Sequence, residues 1–304
     1  MTIAICLKVG DGVVLGTDSA SSLIGENDRY FNVYNTAEKT FNLVKGLPIG
    51  LMTYGLGGMA GLSIGALARD LRERLSGNDP ELSDWALNPS TYTLHEVAGR
   101  VREFFYEALY DAEFGPLPQP GAGAQGTEEE QPLSPDVGGT PGEKAPPYPD
   151  LGFVVAGISA QDHYTQVWTI EIINGVCTGP VCQYDRFVSG VVNFWGQPEA
   201  LYRLVYGWSP EAHQRLIAAG LNPEAADQFL LSLTDLAHPG MPIQDAIDLV
   251  RYLADVTVGY IRFKQGAPTV APPIDIAAIM RHQGFKWVER KHYYRQELNP
   301  AMIE

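Results

Sequence analysis

Thr2 directly follows the first methionine, and its position could give this chain nucleophilic chemistry. A threonine hydroxyl is a poor nucleophile until a base takes its proton. A free α-amine titrates at about 7.7–8.0, close to neutral pH, so it can act as that base. Only the first residue of a chain carries both groups, and removal of Met1 would make Thr2 that residue. The opening also lacks the basic start and long apolar stretch of a signal peptide, so we expect a folded core from residue 2 onward.

Other residue types that could do chemistry show no diagnostic spacing. The six histidines have no ligand spacing, and the three cysteines include no second pair that would complete a zinc site. No Gly-x-Ser-x-Gly elbow is present, and the glycines around Gly55 are not followed by Gly-Lys-Ser/Thr. The sequence therefore predicts no metal and no cofactor.

Composition excludes several classes of partner. The net charge of −15 argues against binding a nucleic-acid phosphate backbone, which requires clustered Lys and Arg. No apolar stretch approaches the roughly 18 residues needed to cross a bilayer. With few cysteines and an acidic balance, we expect a cytoplasmic protein in a reducing compartment.

The hydrophobic pattern alternates between strand-like and helix-like segments. Asp-Gly between two short apolar runs predicts a hairpin over 2–9 and 12–18. Thr93 to Glu96 has the pattern of a capping box at the start of a helix. Further strands are predicted at 39–43, 49–55, 151–158, 166–173, 176–188 and 274–280. Further helices are predicted at 59–75, 94–113, 198–206, 209–236 and from Met241-Pro242 to about 262.

Two segments interrupt this order. Residues 115–150 are dense in Pro, Gly and acidic residues, so we interpret them as a disordered surface insertion, with a domain linker as the alternative. We also expect a helical insertion at about 205–240. We therefore expect one domain over 1–304, and an α+β fold in which antiparallel sheets are covered by helices.

The opening pattern resembles the proteasome β-subunit family of N-terminal-nucleophile hydrolases. In that family an initial Thr is followed by a strand ending in Asp, a Lys in a "KKhFxh" segment, and a glycine loop before the first helix. This chain offers Thr2, "KVGDGVVLGTDS" with Asp18, "AEKTFNL" with Lys39, and "GLMTYGLGG" with Gly55. The resemblance covers roughly 2–75, 151–200 and 241–280.

The resemblance implies a fold and a role for each residue. The fold would be a four-layer αββα sandwich of two antiparallel sheets flanked by helices. Thr2 would be the nucleophile, Lys39 would favour the neutral amine by its charge, and Asp18 would pair with Lys39. The N–H of Gly55 would donate to the oxyanion. Ser189 is the candidate counterpart of a supporting Ser-Gly-Ser-like element, whereas the family's Asp-x-x-Ser element has no counterpart before the last strand.

The implied function is an N-terminal threonine hydrolase, a proteasome-like peptidase that cleaves amide bonds in peptides or proteins within a homo-oligomeric ring or stacked assembly. Two alternatives stay open: a catalytically silent proteasome-like scaffold subunit, and an amidase acting on small molecules. Each residue also has an ordinary structural interpretation. Asp18 could be a turn residue at a strand end, Lys39 a solvated lysine at a strand edge, and Gly55 a turn glycine.

Overall fold

A computed structural model describes residues 2–24, 30–78, 80–115, 148–230 and 236–291. Within these ranges the protein has a mixed α+β fold of antiparallel sheets and helices. The strands are β1 (Ile3–Lys8), β2 (Gly12–Thr17), β3 (Ser21–Ile24), β4 (Tyr30–Tyr34), β5 (Thr40–Asn42), β6 (Ile49–Gly55), β7 (Gly58–Met59), β8 (Leu62–Ser63), β9 (Leu151–Gly157), β10 (Gln166–Ile173), β11 (Val176–Tyr184), β12 (Val191–Gly196), β13 (Asp275–Met280) and β14 (Gly284–Glu289). The helices are α1 (Ile64–Leu75), α2 (Leu94–Arg102), α3 (Asp111–Phe114), α4 (Glu199–Val205), α5 (Pro210–Ala218), α6 (Pro223–Leu230) and α7 (Ile243–Phe263).

The first sheet has the strand order β12-β1-β2-β13-β14, and every neighbouring pair is antiparallel. The predicted hairpin of β1 and β2 is confirmed, and its turn is closed by the Val9 N–H, which donates to the Gly12 carbonyl at 2.9 Å. β1 is flanked on its other side by β12, with Ile3 opposite Gly196. The start of β1 is therefore paired on both sides.

The second sheet has the order β11-β10-β9-β6-β5 and is also antiparallel. It contains the predicted pair β5 and β6 and the predicted apolar strand β9, which lies beside β6 with Gly55 opposite Leu151. β10 and β11 are joined at Asn174-Gly175, where both residues have positive φ, as the Asn-Gly turn signal predicts.

Three apolar clusters hold these elements together. Odd-numbered residues of β1, including Ile3 and Ile5, pack with residues of α4 and α7. Even-numbered residues, Ala4 and Cys6, pack instead with residues of the second sheet, such as Met52. The period-two alternation of a strand produces this division. A third cluster joins the second sheet to α1 and α2.

The helices confirm the predicted capping box, and one helix begins later than predicted. Thr93 caps α2 in a complete capping box, and the helix continues through a π-helical stretch over Glu103–Tyr110 into α3. α1 begins at Ile64 rather than at residue 59, because the preceding residues form the short β7–β8 hairpin. Gly77, at φ 70°, follows the C-cap Ser76 of α1.

Several predictions need correction or lie outside the described ranges. The predicted strand over 176–188 ends at Tyr184, and the patterns at β3, β4, β12 and β14 were not recognised as strands. The predicted 209–236 helical region forms α5 and α6, and residues 231–235 lie outside the described residues. Residues 116–147, most of the predicted 115–150 insertion, also lie outside them. None of the helices in the described ranges combines the length and apolarity that a membrane span requires.

Candidate active site

Thr2 is held at the beginning of the first sheet, beside the second. It precedes β1 and is 2% exposed. Its carbonyl accepts a hydrogen bond from the Gln197 N–H at 2.7 Å, immediately after β12. Continuing the alternation of β1 past Ile3 assigns Thr2 to the side of Ala4 and Cys6, which is the side facing the second sheet. The local strand pattern thus directs Thr2 toward the space between the sheets.

Asp18 and Lys39 form a buried ion pair next to this residue. Lys39 Nζ lies 2.6 Å from Asp18 Oδ1, and the side chains are 7% and 0% exposed. The two residues come together because β2 and β5 meet at their ends, where the hydroxyls of Thr17 and Thr40 lie 2.9 Å apart. The sequence prediction that Asp18 pairs with Lys39 is borne out by this geometry.

The Asp18 carboxylate is fixed by backbone groups as well as by Lys39. Oδ1 also accepts the Ile3 N–H at 3.1 Å, so the carboxylate is bonded to the residue that follows Thr2. Oδ2 accepts the N–H groups of Ala20 at 2.9 Å and Ala271 at 3.2 Å. Four donors therefore converge on one buried carboxylate, two on each oxygen.

The pKa of Lys39 is lowered from its ordinary value of 10.5. Burial is the largest cause, because it disfavours the charged ammonium, and the adjacent Asp18 carboxylate partly offsets it. The nearby Lys291 ammonium lowers the pKa further, whereas Asp275 raises it. A lysine tuned in this way can hold positive charge beside a reacting group and exchange a proton more readily than a solvated lysine.

Gly55 closes the same site from the second sheet. Its φ is 91°, a left-handed value that side chains rarely adopt, and a Cβ there would lie 2.3 Å from the Asp150 carbonyl oxygen. Only glycine fits this position without displacing the chain. The backbone of Gly55 can consequently approach a bound molecule closely.

Thr2, Lys39 and Gly55 line one open pocket of about 390 Å³, measured out to the solvent. Thr53 and Ser22 also line it, and the hydroxyl oxygens of both are buried with no hydrogen-bond partner among the described residues. Buried polar groups are normally hydrogen-bonded, so these two hydroxyls are available to a ligand or to water. The pocket thus combines a hydroxyl, a buried ammonium and unpaired hydroxyl groups.

Ser189 is not brought to this pocket. The adjacent Gly190 N–H donates to the Lys8 carbonyl at 2.8 Å, at the far end of β1 from Thr2. From Thr2 to Lys8 the chain runs six residue steps of about 3.3 Å, so Ser189 lies on the order of 20 Å from the candidate nucleophile. The structure gives Ser189 no supporting contact with the site.

A second buried ion pair beside the site was missed in the sequence. Lys291 Nζ contacts Asp275 Oδ2, and their side chains are 6% and 2% exposed. Lys291 Nζ also donates to Ser19 Oγ at 2.8 Å, one residue after Asp18. In the sequence, Asp275 is only the second residue of the strand predicted at 274–280, and Lys291 lies outside every predicted strand and helix.

Among the residues that the structure describes, no group of three His, Cys, Asp or Glu side chains could hold a metal ion. No protein-family model matches the chain, and a search of curated proteins finds no match either.

Proposed function

We propose that the chain is an N-terminal threonine hydrolase that cleaves amide bonds in peptides. One observation carries the proposal: the Lys39–Asp18 ion pair is buried beside Thr2, with Asp18 hydrogen-bonded to the next residue, Ile3. Taking two charges out of water costs several kcal/mol per ion, so a buried pair is weak evidence for stability alone. Its location beside a threonine in an open pocket supports a chemical role.

In the proposed reaction Met1 is first removed, which leaves Thr2 with a free amine and a free hydroxyl. The amine takes the hydroxyl proton while the oxygen attacks the substrate carbonyl carbon, forming a tetrahedral oxyanion. The Gly55 N–H donates to that oxyanion. Collapse breaks the C–N bond, the amine passes its proton to the leaving nitrogen, and a water molecule then hydrolyses the ester on Thr2.

Lys39 and Asp18 set the charge around this reaction. The Lys39 ammonium favours the neutral form of a nearby amine, which is the form that accepts a proton. Asp18 keeps the ammonium in place through a 2.6 Å contact, and its bond to the Ile3 N–H ties the pair to the Thr2 backbone. The proposal therefore assigns binding and orientation to Asp18 rather than proton transfer.

The wider architecture supports the same proposal. The three apolar clusters, one between the sheets and one on each outer face, fit a four-layer αββα sandwich of the proteasome β-subunit type. That fold would carry the pocket at one end of the two sheets. A homo-oligomeric ring or stacked assembly belongs to this proposal and is tested separately.

The decisive experiment uses the intact mass of the natural protein and an electrophilic peptide such as a peptide boronate or peptide vinyl sulfone. We expect a mass lower by one methionine and a stoichiometric adduct on Thr2. Thr2→Ala should abolish the adduct and keep the fold, whereas the matched control Thr91→Ala, at an exposed position, should label like the wild type.

Other outcomes select the alternatives. An adduct that forms with a small acyl electrophile but not with the peptide probe would indicate a small-molecule amidase. Retention of Met1 together with the absence of any adduct would overturn the proposal and favour a catalytically silent scaffold.

A further inference from the structure

The Lys291–Asp275 pair is joined to the residue beside Asp18. Ser19 Oγ accepts a hydrogen bond from Lys291 Nζ at 2.8 Å and donates to the Pro273 carbonyl at 2.5 Å. The Ser19 N–H donates to the Ala271 carbonyl at 3.1 Å. These three bonds fix Ser19, and its position determines the direction in which the preceding residue, Asp18, extends.

The two ion pairs share one supporting segment. The Ala271 N–H donates to Asp18 Oδ2 at 3.2 Å, while its carbonyl accepts from Ser19. The Lys291 N–H donates to Asp275 Oδ1 at 2.9 Å, so Asp275 holds both the backbone and the ammonium of Lys291. A shift of the Lys291 ammonium would be transmitted through Ser19 to the carboxylate that orients Lys39.

Stability alone does not explain this second pair. Replacing a buried ion pair by uncharged residues of similar size is often neutral or stabilising, because desolvation offsets much of the Coulomb attraction. Here the pair lies against the candidate site, and both of its charges change the pKa of Lys39. The charged groups that face Lys39 among the described residues are Asp18, Lys291 and Asp275.

We propose that Lys291 is a positioning residue of the candidate site, which acts through Ser19 to hold Asp18, and through Asp18 the Lys39 ammonium, in the geometry that activates Thr2. The inference rests on the proposed threonine hydrolase function. It assigns a role in the site to a residue that follows the last strand of the first sheet.

The test measures how fast an electrophilic peptide labels Thr2. The dependence of this rate on peptide concentration gives the affinity of the protein for the peptide and the first-order rate constant of the bound complex. Ser19→Ala keeps both ion pairs and removes only the hydroxyl link. We expect its first-order rate constant to fall by about tenfold or more, since small misplacements of catalytic groups are costly, with affinity unchanged. Lys291→Met should show the same loss, and Lys291→Arg, which keeps the charge and the donors, should recover most of the rate.

Lys286→Ala is the matched control, because this lysine lies on β14 and is exposed. It should label like the wild type.

The pH dependence of labelling is a second measurement, which a merely structural role of Lys291 would not change. Removing the Lys291 charge raises the pKa of Lys39. In Lys291→Met, the loss of labelling at alkaline pH, where Lys39 loses its proton, should therefore move to higher pH. In Ser19→Ala it should stay at the wild-type pH.

Asp275→Asn/Lys291→Met covers the case in which Lys291→Met fails to fold. It removes both charges together, so no buried ion is left unpaired. It should fold and label as slowly as Ser19→Ala. Wild-type labelling rates in folded Ser19→Ala and in the double variant would overturn the inference while leaving the proposed function intact.

If the proposed function is wrong, the wild type itself gives no adduct on Thr2, and the effect of Lys291 on the reaction is overturned with it. Hydrogen exchange at the amides of Asp18, Ser19 and Ala20 still decides whether Lys291 holds this segment. Faster exchange there in Ser19→Ala than in Lys286→Ala supports the positioning contact, and equal exchange contradicts it.

Discussion

Asp18→Asn is a small change in shape that the structure predicts to be large in energy. Four donors converge on the carboxylate: Lys39 Nζ and the Ile3 N–H on one oxygen, and the Ala20 and Ala271 N–H groups on the other. An amide side chain presents one acceptor oxygen and one NH₂ donor group. In either orientation of the amide, two of the four donors face another donor.

The magnitude follows from these unmade bonds. Each buried donor left without a partner costs about 1–3 kcal/mol, so two give roughly 2–6 kcal/mol. Neutralising one member of a buried ion pair costs about 3–5 kcal/mol by itself. The two figures describe overlapping contacts and do not add, so we expect the free energy of unfolding to fall by about 3–5 kcal/mol.

Urea denaturation at pH 7, followed by circular dichroism, measures this loss for Asp18→Asn. Asp11→Asn is the matched control, because Asp11 is exposed in the β1–β2 turn and asparagine suits such turns equally well. The control should stay within about 0.5 kcal/mol of the wild type, as surface substitutions do. A loss of less than about 1 kcal/mol for Asp18→Asn would show that the two donors do not stay unpaired, and it would refute the expected loss of buried hydrogen bonds.

Three further predictions test other features. Gly55→Ala should lower the free energy of unfolding more than Gly46→Ala does, as denaturation midpoints will measure. Both glycines have positive φ, but only a Cβ at Gly55 meets another residue, the Asp150 carbonyl oxygen at 2.3 Å. Iodoacetamide at pH 8 should modify the exposed Cys182 and spare the buried Cys6, because burial raises the pKa of the Cys6 thiol to about 12. Peptide mass mapping shows which thiol reacts, and early labelling of Cys6 would contradict its burial. Light scattering at micromolar concentration should give the mass of a homo-oligomer, and a monomer mass would contradict the proposed assembly.

Much of the sheet structure was predictable because buried strands leave a clear apolar pattern. β1, β2, β6 and β9 are continuous apolar runs bounded by glycine, proline or aspartate, and each was predicted close to its observed bounds. β12 and β14 were missed because they are edge strands of the first sheet and only partly buried, so their patterns are mixed. The register that brings β12 against β1 depends on pairing between distant segments, which local patterns do not encode.

The site was predictable where its residues follow recognisable strands. The pairing of Asp18 with Lys39 was expected from the resemblance, and the structure bears it out. The expected supporting role of Ser189 is wrong, because its segment lies at the Lys8 end of β1 rather than at the Thr2 end. Lys291 is separated from Ser19 by 272 residues, and nothing local to either distinguishes it from a solvated lysine.

The pairing of β1 with β12 sets an order of events during synthesis. Thr2 is synthesised long before its partner, because the Gln197 N–H that binds the Thr2 carbonyl follows β12, which ends at Gly196. At about 5–20 residues per second, the start of β1 waits roughly 10–40 s for that partner. In the folded protein Thr2 is 2% exposed. Under the proposed function, the interval before β12 is made is therefore the time when an aminopeptidase reaches the Met1–Thr2 bond most easily, and slower synthesis lengthens this interval.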